Sequence, residues 1–453
     1  MKILRNLFYV MALAVATVFS SCSSTDYLNA IPAESSAVIS IDMAKLSGVQ
    51  SPTVLKAMLH VSNLDNTGLD LSSKLYLFET QDGEMGLCAK VDDEDDVEKL
   101  FNGLAQKGIC PQVRKRRGLK FTMVAQSWVV GWSSEALLIM GPAPVTEQAE
   151  LQNQMTNYLH EDEDEGLKSS PLYDKLDSIG SPISMVAQAK ALPDKLIAPF
   201  TLGAPKNTDP SQVLIAASMK PQKGVLYING STFSLNSRID AALKKAAGIY
   251  RPISGKYSSS MPKNALLGVF MNVKGTQFVP LMHNNPGLVA LLAGISRAID
   301  MDNILKSVDG ELSIVSTAYS DANLKISMAA QLGNKQWLND VGYWKQSCPE
   351  GGRILDWGKD AYYYTDSKTT FYFGASNDMQ FYSGSSAAEA LSSIKPSTNP
   401  ISADIQRAIK GQKMVMMINP GALVGGKSQA VATMLKPLFG NVNTILFTLN
   451  NHD

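Results

Sequence analysis

Residues 128–141 read WVVGWSSEALLIMG and residues 371–384 read FYFGASNDMQFYSG. The two stretches align without a gap at an offset of 243, with Gly131 on Gly374, Ser133 on Ser376 and Gly141 on Gly384. In each, two short apolar runs flank a polar turn that carries Gly-x-Ser, a pattern that predicts two antiparallel strands of a meander.

Working outward, the same correspondence continues in both directions. Pro32 matches Pro262 and Asp42 matches Asn272 at an offset of 230; Pro52 matches Pro286 at 234, Leu75 matches Leu312 at 237, and Val91 matches Leu332 at 241. The offset grows by a few residues at each loop, as in a tandem duplication, because loops tolerate length changes that core elements do not. Five matches in one order carry the argument where a single one would not. The first repeat is expected over residues 30–257 and the second over 258–453. Beyond Gly141, Ser184–Ala191 and Pro193 answer to Gly411–Ile418 and Pro420, and Asn443–Leu449 answers to Gln212–Met219. The hairpin strand Gly224–Phe233 has no counterpart, so the expectation is either that the last strand forms an open edge or that this chain is shorter than its relatives, its second repeat truncated at the C-terminus.

Within the first repeat, Ala37–Asp42, Lys74–Glu79 and Gly86–Val91 read as strands. Lys120–Ala125, Ser127–Trp132 and Ala136–Met140 read as a meander. Ser51 and Pro52 open a helix with Val54, Leu55, Met58 and Leu59 on its apolar face. Short strands with few, unevenly spaced helices predict an α+β fold of two repeats, each an antiparallel-dominated sheet with helices on one face.

The compartment is read from Met1–Cys22, MKILRNLFYVMALAVATVFSSC: Lys2 and Arg5 precede an apolar run from Leu7 to Phe19, and Ser20-Ser21 lead into Cys22. The run is shorter than the ~18 apolar residues of a membrane span. It resembles a lipoprotein signal peptide with its lipobox, although Phe19 stands where Leu or Val is usual. The resemblance implies cleavage before Cys22, acylation of that cysteine and tethering to the lipid bilayer, with residues 23–29 as a short tether. Two or three acyl chains, at ~0.8 kcal/mol per buried methylene, make such an anchor permanent. The expected location is the outer membrane, on its periplasmic or cell-surface side.

Lys plus Arg and Asp plus Glu balance at 41 each among 453 residues, so no global field favours nucleic acid as a partner. Four histidines, His60, His160, His283 and His452, are scattered singly, and no cofactor is expected. With Cys22 acylated, Cys88, Cys110 and Cys348 remain. A Cys88–Cys110 bridge is open in an oxidising periplasm, but a buried free thiol is the simpler reading of Cys88 in its strand-like run.

The lipobox, the opening IPAESSAVISID, the Gly-x-Ser turns and the two-repeat length together resemble a family of Bacteroidetes lipoproteins catalogued as domain of unknown function 4836. The resemblance implies a location and no activity, so it supplies no catalytic residue.

Several constellations invite a chemical reading, and most have a simpler one. Asp92–Asp96 lacks the ligand alternation and glycine of a calcium loop and reads as an acidic helix start. Glu161–Glu165 reads as a solvated loop, and Arg114–Arg117 with Lys120 as a basic turn that could also face anionic headgroups. Gly131-Trp132-Ser133 and Gly374-Ala375-Ser376 lack the second glycine of a nucleophile elbow. Ser392 and Lys395 match S-x-x-K at the wrong end of a helix, and Gly425-Gly426-Lys427 lacks phosphate-loop spacing. Met414, Met416 and Met417 read as core packing, while Asp177-Ser178-Ile179 resembles a short O-glycosylation motif.

The remaining candidate is aromatic. Tyr362, Tyr364, Phe371 and Phe373, with their neighbours up to Tyr382, lie on adjacent strands; core and cross-strand packing is the first reading of them, and a platform for a glycan or an envelope protein is the second. Binding without catalysis is therefore the expected function, with a hydrolase of envelope or dietary polymers as the alternative. No nucleophile, carboxylate pair or metal cluster is visible for catalysis.

Overall fold

The structure is a computed structural model of the 453-residue chain. It describes residues 25–46, 56, 66–192, 194–289, 298–320, 323–419 and 442–449. The signal peptide with Cys22, the helix expected after Ser51, Pro193, Pro420 and Gly425–Lys427 lie outside the described residues.

The fold is α+β, and the chain divides into two compact units with the main boundary at Asp174/Lys175, the short segment Ser36–Ile39 being counted with the second. The sequence pattern put the start of the second repeat at residue 258, so compact units and sequence repeats divide the chain differently.

The strands up to the boundary are β1 (Ala37–Ile41), of which residues up to Ile39 are counted with the second unit, and, in the first unit, β2 (Leu75–Glu79), β3 (Met85–Lys90), β4 (Arg114–Arg116), β5 (Leu119–Val124), β6 (Trp128–Trp132) and β7 (Ala136–Gly141). They are ordered β1-β2-β3-β7-β6-β5-β4, and every pair with a resolved register from β2 to β4 is antiparallel. The helix Glu94–Gln106 begins where Asp93 accepts hydrogen bonds from the N–H groups of Asp95 (2.9 Å) and Asp96 (3.0 Å). That cap, plus acidic side chains in the positively polarised first turn, is why the Asp92–Asp96 run starts a helix.

In the second unit the strands are β8 (Ile183–Gln188), β9 (Leu214–Gln222), β10 (Val225–Phe233), β11 (Leu267–Lys274), β12 (Val308–Ser320), β13 (Asn323–Leu332), β14 (Arg353–Gly358), β15 (Ala361–Thr365), β16 (Thr370–Ala375), β17 (Gln380–Gly384), β18 (Met414–Ile418) and β19 (Thr444–Leu449). The order runs β8-β9-β10-β19-β18-β11-β12-β13-β17-β16-β15-β14. All pairs are antiparallel except β10 with β19. The seven strands β11-β12-β13-β17-β16-β15-β14 follow the order of β1-β2-β3-β7-β6-β5-β4. The strand without a sequence counterpart, β10, takes β19 as a parallel neighbour from Val225↔Thr444 to Gly230↔Leu449, so β19 is not an open edge.

The layers differ from the expected single helical face. Strands β2, β7, β17 and β18 are buried at every position, which requires cover on both sides of the sheet. In the first unit, helix Glu94–Gln106 takes the face of Lys120 and Trp132, Phe101 stacking on Trp132 with centroids 5.1 Å apart. Helix Gln148–Tyr158 and the following Leu159 take the other face, at Gly131. In the second unit β18 sends Met414, Met416 and Ile418 to one face and Val415 and Met417 to the other, each into a core cluster. The methionines are thus core packing.

The matched glycines 131 and 374 are explained by close approach. A Cβ at Gly131 would stand 2.5 Å from the Phe121 ring, and one at Gly374 would stand 2.8 Å from the Asp360 carbonyl oxygen. Contacts that short force something to move, which only glycine avoids.

Candidate functional site

In the second unit a cleft of about 930 Å3 opens among short helical segments. Helix Gly275–His283 brings Met282 and His283, helix Met301–Lys306 brings Met301 and Asp302, and helix Val341–Gln346 brings Tyr343 and Trp344. Lys206 and Asn284 come from loops. Each segment is fixed locally. Asp300 caps the Met301–Lys306 helix by accepting from the Asn303 N–H at 3.0 Å. The Asn303 side-chain amide donates to Asp340 Oδ2 at 2.5 Å, tying that helix to the one bearing Tyr343 and Trp344. Asn285, buried, donates to Ala198 O (2.8 Å) and Thr201 Oγ1 (3.1 Å), so the turn after His283 is held by the segment that leads towards Lys206.

The floor is apolar and already packed: Ile299 and Met301 are each 1% exposed and Trp344 is 5% exposed. The rim is polar and open, and Tyr343 is 70% exposed. His283 Nε2 meets Asp302 Oδ2 at 2.7 Å. Asp300, Asp302 and Asp340 each use one carboxylate oxygen in these contacts, and among the described residues the second oxygen of each has no hydrogen-bond partner.

The aromatic residues singled out in the sequence lie behind this cleft instead of on a surface of their own. Tyr364, Phe371 and Phe373 are buried in the main core with Trp337 and Trp344, so three of the four are not exposed for a ligand. The reason is strand alternation under cover: Ile354, Tyr364 and Phe371 are cross-strand neighbours on the face that the helices occupy. Phe373 packs on Trp337 (6.1 Å) and Trp344 (6.4 Å), so it supports the wall of the cleft. Tyr362 is half-buried, its ring 5.2 Å below the Lys345 ammonium. On the opposite face Tyr363 and Tyr372 stack with centroids 5.0 Å apart, half-buried.

The other sequence motifs take structural roles. Ser133 Oγ accepts from the N–H groups of Glu135 and Ala136, and Ser376 Oγ accepts from Gln380 N and donates to Asp378, so both Gly-x-Ser serines close turns. Ser392 ends its helix by donating to Glu389 O at 2.8 Å. Ser178 is exposed and donates to Lys175 O. Lys120 is withdrawn from the basic turn into ion pairs with Glu94 (3.1 Å) and Glu98 (2.7 Å), and Arg116 donates to Asn153. Of the acidic loop, Glu161 is half-buried, and burial together with Glu165 and Asp162 pushes its carboxyl up to about 7. Cys88 and Cys110 are free and buried. Among the described residues no group of three or more His, Cys, Asp or Glu is placed to hold a metal ion, and no helix is long and apolar enough to cross a membrane.

An α+β chain with twice the same strand order and a helix-walled cleft is thus the class of protein in hand. The chain belongs to the family described as Domain of unknown function (DUF4836), which matches residues 54–411. No curated protein matches it. A solved structure titled "Structure of crystal form IV of TP0453" is similar at 10% identity with a TM-score of 0.24, over 38% of this chain and 66% of that one, just under two thirds of its length. That likeness is too slight to bear on the fold.

Proposed function

We propose that this protein is a lipid-anchored outer-membrane lipoprotein of the Bacteroidetes type that binds a small ligand in the cleft walled by Tyr343 and Trp344. The anchor is supported by the sequence: a basic start, a short apolar run and small residues before Cys22. A tandem duplication is supported by five sequence matches in one order and by the recurrence of one seven-strand order. Binding rests on the cleft itself. Its volume of about 930 Å3 lies in the ~300 to 1,000 Å3 range of small-molecule sites, and its lining includes three carboxylates and an exposed ring.

The hydrolase alternative gains one specific observation, the His283–Asp302 pair, since a carboxylate orients an imidazole for base catalysis. A base alone needs a nucleophile, and Ser347 in the same cleft donates its hydroxyl to Tyr343 O at 3.0 Å. Native mass spectrometry of the protein extracted from its own membranes tests the proposal. A retained small molecule, lost in Tyr343→Ala, is the expected result. Release of a changed product that stops in His283→Ala would favour the hydrolase, and no retained mass at all would remove the binding reading. Metabolic labelling with palmitate tests the anchor: it should mark the wild type and not Cys22→Ala.

A further inference from the structure

We infer that the cleft takes an uncharged saccharide, an assignment that rests on the ligand-binding reading above. Three features of the accessible surface carry it. The first is the closed floor. Among the described lining residues Ile299, Met301 and Trp344 are spent on the core, so these three offer an acyl chain no place to insert. The second is the ring. Tyr343 stands on the rim at 70% exposure, and a half-apolar sugar face can cover such a ring while its hydroxyls stay in reach of polar groups. The third is the mixture of hydrogen-bonding groups. Asp300, Asp302 and Asp340 line the cleft with carboxylate oxygens that have no partner among the described residues and are acceptors, and Lys206 and Asn284 line it with side chains that carry donors, which matches hydroxyls that do both.

Charge narrows the class further. Three carboxylates line the cleft with one lysine and the Asp302-bound histidine, so an anionic ligand such as a uronic acid or a phosphate is disfavoured. A simple amine would be drawn by the carboxylates but would leave Tyr343 uncovered and meet Lys206. A chain of sugar rings satisfies both sets of groups.

The test is titration of the full protein, kept in a polyoxyethylene detergent free of sugar headgroups, with maltotetraose, cellotetraose, tetragalacturonate, spermidine and decanoate, read by tryptophan fluorescence and calorimetry. We expect a neutral tetrasaccharide to bind, tetragalacturonate not to, and Tyr343→Ala to weaken binding roughly tenfold, equivalent to about 1.4 kcal/mol. Tyr363→Ala, on the opposite face of β15, should leave the affinity unchanged. Binding of spermidine or decanoate with no neutral sugar would overturn the saccharide and leave the cleft as a ligand site. Sugar binding lost in Tyr363→Ala and kept in Tyr343→Ala would move the site to the outer aromatic pair, and silence from every probe would overturn the saccharide, while the binding reading is decided by the retained mass above.

Discussion

The Lys120 ammonium, at the end of an 8% exposed side chain on β5, stands 2.7 Å from the Glu98 carboxylate on the helix above it. The hydrogen bond from Lys120 holds the Glu98 carboxyl below its ordinary value. A carboxyl depressed in the folded state adds stability that is present above the unfolded pKa, near 4.3, and is lost as pH falls through the folded value. Lys120→Met should therefore unfold at lower urea than the wild type at pH 7, with the difference shrinking below about pH 4. A variant as stable as the wild type at pH 7 would mean that the pair is only a surface contact.

Glu161 acts in the opposite sense and in a different window. Burial comes first, then the charges of Glu165 and Asp162, and together they push its carboxyl up to about 7. A carboxyl raised on folding is penalised when ionised, so stability falls as pH rises from the unfolded value near 4.3 through 7. Because the side chain is only half-buried, solvent screening reduces the penalty to on the order of 1 kcal/mol. Glu161→Gln should raise the melting temperature at pH 8 and leave it unchanged at pH 4.5. An equal shift at both pH values would assign the gain to the amide's hydrogen bonds instead.

The sequence carried the strands that alternate or run apolar, and the turn residues between them, because those patterns are local. It did not carry β4: Arg114, Lys115 and Arg116 hold no apolar residue, and they form a strand only because Phe121, Lys120 and Leu119 on β5 present an edge to pair with. Nor could alternation decide which aromatic face was covered, since Phe371 and Tyr372 point to opposite sides and only the packed helices distinguish them. The cleft was invisible for a third reason. His283, Asp302 and Tyr343 come from separate helices, and His283 looked solitary until folding placed Asp302 beside it.

The three cysteines in the described residues should differ in reactivity in the folded protein. Cys88 donates to Tyr27 O and Cys110 to Phe101 O, each at 3.4 Å, so the two thiols are held by different carbonyls and do not form a bridge. Burial pushes both thiols up, which starves them of thiolate. Alkylation of Cys22→Ala protein with iodoacetamide at pH 8 should reach the part-exposed Cys348 first and Cys88 only on unfolding. Early modification of Cys88 by peptide mapping would contradict this packing, as would a fall in melting temperature on adding a reductant.

The aromatic strands provide the sharpest test of where the core lies. Phe373 is fully buried against both Trp337 and Trp344, which stack nearly parallel on each other at 6.1 Å. Phe373→Ala removes a ring from that cluster and opens a cavity beneath the wall of the cleft, which should cost about 3 to 5 kcal/mol in urea denaturation. Tyr363 sits at the same level of β15 and β16 but on the other face, half-exposed, and Tyr363→Ala should lose only the stacking with Tyr372, about 0.5 to 1.5 kcal/mol. The two rings are close in sequence and alike in composition, so a large difference between the variants can come only from which side of the sheet the helices cover. Costs that match to within the measurement would place Phe373 on an open face and return these strands to the role of a binding platform.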